Sequence, residues 1–292
     1  IIGAPGARII QDEFTPTGIS VPVFDYDGAG YGPTLLSGFT ISAIQDAISI
    51  RPFHSSSSTT AVAGFEISNN HIDSIVGGGV YFYASYDDRA TLNVHDNTFN
   101  VAGVSARFNE TLMGSIVISN NTFTDSAGDA INGYLYFDEN TSVSLSVDIS
   151  GNTITNPAGS GIEYNISVDE SEVAGYASVS IEGNTISGAG SQGINFEFDV
   201  SSSSNELAAN VTITNNTVSD SNYTGIVASA GVEYTSNSIA YDLTLDSNTV
   251  TGSQYGIYIY ASNSDEATVN YDLKITNNTV TGSDYEGLYV SF

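Results

Sequence analysis

Cysteine and tryptophan are absent from this 292-residue chain, and methionine occurs once. Without cysteine there is no disulfide framework, no thiolate nucleophile and no cysteine-ligated zinc. Cationic side chains are scarce: five Lys and Arg stand against 33 Asp and Glu, a formal charge of −28. Such a field repels phosphate backbones and anionic lipid heads, so neither nucleic-acid nor membrane-surface partners are expected. No apolar run approaches the roughly 18 residues of a spanning helix, and membrane insertion is not expected either. Proline is rare, and four of the six prolines (Pro5, Pro16, Pro22 and Pro33) fall before residue 37. Core-forming side chains are not scarce: 40% of residues are hydrophobic and 11% aromatic, which separates the chain from disordered sequences. The first residue is Ile1, as expected of a processed secreted chain or a trimmed one.

What is abundant is a repeat. Eight segments share the form apolar-x-apolar-x-x-Asn-x-apolar, from FEISNNHI to LKITNNTV. Their asparagines are Asn70, Asn97, Asn121, Asn152, Asn184, Asn216, Asn248 and Asn278, at steps of 27, 24, 31, 32, 32, 32 and 30 residues. Within each unit apolar and polar residues alternate, the period of a half-buried strand. About nine residues after the asparagine a glycine opens a second alternating run, as in Gly193-Ile-Asn-Phe-Glu-Phe. Short strands and tight turns at one period predict an all-β coil in which each strand pairs with its counterpart one turn along. That is a parallel β-helix solenoid of about eight to nine rungs, with a rise of about 4.8 Å per rung. Residues 1–36 hold no copy of the repeat and read as an extended N-terminal arm or cap, leaving 37–292 as the β-helix. Ser42 to Gln45 is expected to cap a short helix that closes the coil.

Over residues 64–292 this pattern resembles the right-handed parallel β-helix superfamily, which includes pectate lyases and many bacterial and archaeal surface proteins. The resemblance implies the fold and does not carry an activity. Lyases of this kind use an arginine or lysine base beside calcium, but Arg8, Arg51, Arg89, Arg107 and Lys274 share no column of the repeat. Polygalacturonases carry NTD, DD, GHG and RIK blocks, and only the doublet Asp87-Asp88 occurs here. The resemblance therefore points to the surface and structural branch.

The asparagine column reads as structural. A sharp turn needs a residue that tolerates the left-handed conformation, and stacked amides can bond along the column. Tyr223, Tyr255 and Tyr285, each seven residues after an asparagine, are expected to stack in the last three rungs. Glu163 and Glu197 face outward on adjacent rungs, roughly 8 Å apart by rung arithmetic, with Asn165 and Asn195 at the other corners. That separation suits an inverting glycosidase, which makes these two the runner-up catalytic pair. Outward tyrosines Tyr81, Tyr83, Tyr258, Tyr260 and Tyr289 suit either sugar stacking or subunit contact. Thr98, Thr122, Thr153, Thr185, Thr217, Thr249 and Thr279 follow the asparagines, and a second hydroxyl-rich column follows two residues on. Such Thr-x-Thr arrays resemble the face of ice-binding β-helices, although variable rung length is expected to disturb its regularity.

His54, His71 and His95 lack metal-ligand spacing and read as turn residues. No cofactor is expected; calcium is the one ion an acidic surface could attract, with Asp25 and Asp27 as weak ligands. Among the Asn-x-Ser/Thr sequons, Asn109, Asn140 and Asn222 are the loop candidates for glycosylation. The function expected is that of an extracellular, cell-surface structural or adhesive protein, not an enzyme. Head-to-tail assembly into a filament or layer is expected through the N-terminal arm and the C-terminal rung, with glycans as further partners. Polysaccharide binding or degradation is the alternative, and ice binding a second.

Overall fold

The computed structural model describes residues 19–22, 34–43, 46–51, 63–74, 78–85, 89–109, 113–137, 142–169, 174–201, 206–233, 238–264 and 268–292. Within them every regular element is a strand. The strands form three sheets. Sheet A has ten, from Ile19–Pro22 to Leu288–Ser291; sheet B has nine, from Thr34–Ser37 to Thr268–Thr276; sheet C has nine, from Thr40–Ala43 to Thr279–Thr281. Each circuit of the chain visits B, then C, then A, and each strand pairs in parallel with the strand one circuit away. The expected parallel β-solenoid is therefore the observed fold.

The corner from sheet B to sheet C carries a left-handed residue in every circuit: Gly38, Asn69, Asp96, Asn120, Gly151, Gly183, Asn215, Ser247 and Asn277, with φ between 55° and 78°. This residue immediately precedes the repeated asparagine, which is where the sequence reading placed the left-handed conformation. The repeated asparagine itself does something else. Turned inward and nearly sealed from solvent, its Oδ1 accepts both the backbone N–H and the Nδ2–H of the asparagine one circuit earlier. For Asn184 these bonds, from Asn152, are 3.0 Å each. Its own Nδ2 donates to Ile149 O at 2.9 Å and to Asn216 Oδ1 at 3.0 Å. Both lone-pair sites and both protons of the amide are thus used, a pattern complete from Asn97 to Asn248, with Asn70 and Asn278 ending the ladder. Phe39 holds the equivalent place in the first circuit, where its N–H donates to Asn70 Oδ1.

The strands of sheet C are three residues long through most of the solenoid because a second left-handed corner follows four residues after the asparagine. Val101, Asp125, Asn156, Gly188, Asp220, Gly252 and Gly282 occupy it. Val101 is the one β-branched residue at any of these positions and holds an unfavourable conformation for its side chain.

Inward rows from all three sheets make one continuous apolar core. Like side chains stack along it, as in Phe99 over Phe123 with ring centroids 4.6 Å apart. A glycine stands at the start of most sheet A strands, where the next circuit's backbone approaches closely, while Ala47 and Ala130 hold that place before Ile48–Arg51 and Ile131–Phe137. A Cβ on Gly79 would lie 2.1 Å from Gly103 O. Inside the strand Ile131–Phe137, the space beside Gly133 is filled by the ring of its partner, the buried Tyr164, which a Cβ would meet at 1.9 Å.

At the N-terminal side two expectations change. Ser42 and Ala43 belong to the strand Thr40–Ala43, which pairs with His71–Ser74, so they do not cap a helix. Pairing with the neighbouring circuit outweighs the local capping signal. Within the segment read as an arm, Ile19–Pro22 is the outermost strand of sheet A, paired with Ile48–Arg51. An edge strand tolerates Pro22. The remainder of the arm's residues, apart from 34–36, lie outside the described residues. In the last circuit Leu288 and Val290 are 51% and 39% exposed, whereas Ile257 and Ile259, their partners one circuit earlier, are 1% exposed.

The ladder generates a stability prediction. Asn184→Ala strips acceptors from two buried donors of Asn152 and should lower unfolding free energy by roughly 2–4 kcal/mol. Thr217→Ala, on the exposed face of sheet C, should stay within about 0.5 kcal/mol of the parent in the same urea titrations.

A candidate ligand-binding face on sheet A

Alternation along the sheet A strands sends every second side chain outward, and the parallel register stacks them into columns. One column reads Tyr81, Ser105, Asn132, Glu163, Asn195, Val227, Tyr258, Tyr289. The next reads Tyr83, Arg107, Tyr134, Asn165, Glu197, Ser229, Tyr260, Ser291. Aromatic rings thus stand at both ends of the face, with carboxylates and amides between them.

The rings pair face to face. Tyr81 and Tyr83 lie 6.5 Å apart with planes 4° from parallel, and Tyr134 and Tyr136 6.1 Å apart at 10°. At the other end Tyr258 stacks on Tyr289 at 4.6 Å, while Tyr260 is exposed. The Tyr134 and Tyr136 pair was not singled out from the sequence, although Tyr134-Leu-Tyr136 carries the same alternation as Tyr81-Phe-Tyr83. The expected stack of Tyr223, Tyr255 and Tyr285 is a stack of two: Tyr255 and Tyr285 lie 5.1 Å apart, and Tyr223 joins the column through its carbonyl, which accepts the Tyr255 N–H.

Glu163 lies opposite Asn195, and Asn165 opposite Glu197, so the two acids occupy one diagonal of a square. Each carboxylate is held by the amide across from it: Asn195 Nδ2 donates to Glu163 Oε1 at 2.7 Å and Asn165 Nδ2 to Glu197 Oε2 at 2.9 Å. Ser160 Oγ donates to Glu163 Oε2 at 3.0 Å. Asp129, which the sequence reading missed, closes the site one circuit earlier. Its Oδ1 accepts Ser160 N–H at 2.8 Å and its Oδ2 accepts Asn132 Nδ2–H at 3.0 Å. Asp129 sits in a connection rather than a strand, so no alternation marks it. Burial pushes the Glu163 carboxyl above its usual range, opposed by the bonds from Asn195 and Ser160 and reinforced by the charges of Asp129 and Glu197. Asp199 is raised in the same way by burial and by Glu197 and Glu233. No guanidinium or ammonium neutralises this patch among the described residues. Arg107 stands nearest along its column, two circuits from Glu197's partner row.

The other candidates fall elsewhere. Asn109 ends a sheet A strand and is half-buried; Asn222 is exposed in a turn, its Nδ2 donating to Gly190 O at 3.3 Å. Asn140, Asp25, Asp27, Asp87, Asp88 and His54 lie outside the described residues. Among the described residues no three His, Asp or Glu side chains are grouped to hold a metal ion. The threonine array occupies sheet C, and its register runs without a slip from Thr98 to Thr279. Variable rung length is absorbed in the connections, so the disturbance expected from the sequence is not found. Among the described residues no helix is long and apolar enough to cross a membrane.

The family model described as right handed beta helix region matches residues 109–292. No curated protein and no solved structure matches the chain.

A folded-state pKa raised above the unfolded one means that Glu163 favours folding when protonated. That contribution is complete below the ordinary glutamate value of 4.5 and is lost as pH rises through the folded value. Glu163→Gln should therefore raise the denaturation midpoint at pH 7 relative to the parent, and the gain should vanish near pH 4.

Proposed function

We propose a role for a chain that belongs to the right-handed β-helix family: an extracellular, structural and adhesive rod whose sheet A face binds uncharged or amine-bearing glycans. The observation that carries this reading is the layout of the face, paired tyrosines on either side of an amide and carboxylate lattice. Flat rings stack on the apolar faces of sugars, and amides and carboxylates receive their hydroxyls. Tyr134 and Tyr260 are four circuits apart in one column, on the order of 19 Å, a span that holds several sugar units. The charge of −28 disfavours acidic glycans.

Binding rather than hydrolysis is favoured because Glu163 and Glu197 are each engaged by a neighbouring asparagine. Glu163 has both oxygens occupied. On a panel of immobilised neutral, amine-bearing and acidic polysaccharides, the parent should retain the first two classes. Tyr134→Ala combined with Tyr136→Ala should weaken retention at least tenfold with the fold intact by circular dichroism. Hydrolysis of any of these polymers that Glu163→Gln abolishes would replace this reading with an enzymatic one.

A second reading, adsorption of sheet C to ice, is favoured by its unbroken register. From Thr98 to Thr281 its fourteen outward positions carry no ionisable side chain in an otherwise acidic chain. The strand spacing sets a regular repeat of hydroxyl and methyl groups there. If this reading holds, the parent should inhibit ice recrystallisation and Thr217→Lys should abolish the inhibition.

A further inference from the structure

His95 ends the sheet B strand Arg89–His95, and both of its ring nitrogens face carboxylate oxygens. Nδ1 is 2.8 Å from Asp96 Oδ2, and Nε2 is 3.2 Å from Glu66 Oε1. Glu66 belongs to the preceding circuit, on Ala63–Ser68, whereas Asp96 is the left-handed corner residue of His95's own circuit. A neutral imidazole has one N–H and one lone pair, and an ionised carboxylate only accepts. Both contacts are hydrogen bonds only when the ring carries two protons.

We propose that His95 is a proton-operated clasp, joining two successive circuits through Glu66 and Asp96 when it is an imidazolium and releasing Glu66 when it is neutral. The clasp sits beside the amide ladder. Asn97 follows Asp96, and its Nδ2 donates to the His95 carbonyl at 2.9 Å. The ionisable groups around it are few. On the preceding circuit's strand the facing group is Glu66, and the following strand, Met113–Ser119, has none. Across the corner His71 and Asp73 pair with each other at 3.3 Å within one strand, so that ion pair does not span circuits, although Asp73 Oδ1 also accepts Asn100 Nδ2–H from the following circuit at 3.1 Å. Of the ion pairs among the described residues, the one between circuits is His95 with Glu66.

The Asp96 bond first, then the Glu66 bond and both charges, hold His95 above its usual 6.5 against the opposing effect of burial. With the folded value raised, the clasp's stabilisation is complete below about pH 6.5 and disappears as pH rises through the folded value. This sign is opposite to that of ordinary carboxylate pairs, which weaken on acidification, so the two are separable.

The test is a pH series from 5.5 to 8.5 on the full chain, with His95 followed by NMR and amide exchange of residues 63–74 corrected for intrinsic rates. His95 should titrate above 6.5. Protection of the 63–74 segment should fall roughly 1.5- to fivefold across the series, the range of partly exposed ion pairs. In His95→Gln, and in Glu66→Gln, which retains the imidazole, protection should be independent of pH. A His95 midpoint at or below 6.5, or an equal fall in protection in Glu66→Gln, overturns the proposal.

Discussion

A column of asparagine amides, one on each successive circuit from Asn70 to Asn278 and hydrogen-bonded on all four sites from Asn97 to Asn248, is the constraint on which the rest depends. It satisfies the backbone groups that a sharp corner would otherwise leave buried and unpaired. It also fixes the stagger between circuits, because each amide can bond only to the one directly above and below. With the corner fixed, the strands of sheets B and C leave it at constant phase, and apolar residues alternate inward on every circuit. Length differences between circuits, from 24 to 32 residues, are then pushed into connections remote from the ladder.

Much of this was legible before any coordinates. The repeat, the parallel pairing, the alignment of the asparagines and the diagonal of Glu163 and Glu197 all follow from counting offsets, because a solenoid converts equal offset into spatial adjacency. What was not legible has physical reasons. Two neighbouring polar residues share the corner, and sequence alone does not tell which of Asn69 and Asn70, or of Asn120 and Asn121, takes the left-handed conformation. The amide network decides: only the second residue reaches the next circuit's amide. Asp129 escaped because connections carry no period.

The three faces differ in kind although they share one backbone geometry. Sheet A displays rings and carboxylates, sheet C threonines and serines, and the corner between B and C near the early circuits displays histidine–carboxylate pairs. Since the core and ladder use only inward side chains, the outward ones are free of folding duty, and function can differ from face to face without disturbing the coil. Glu163 marks where this separation is incomplete, since its burial between circuits ties surface chemistry to stability.

Because each amide meets only its two neighbours, the ladder has no preferred total number of members. Gain or loss of one whole coil by gene duplication or deletion would leave every junction intact while moving the tyrosine clusters apart or together by one fixed increment, near 4.8 Å. The molecule is in that sense a graduated ruler, on which the spacing of the tyrosine clusters takes discrete values set by whole coils.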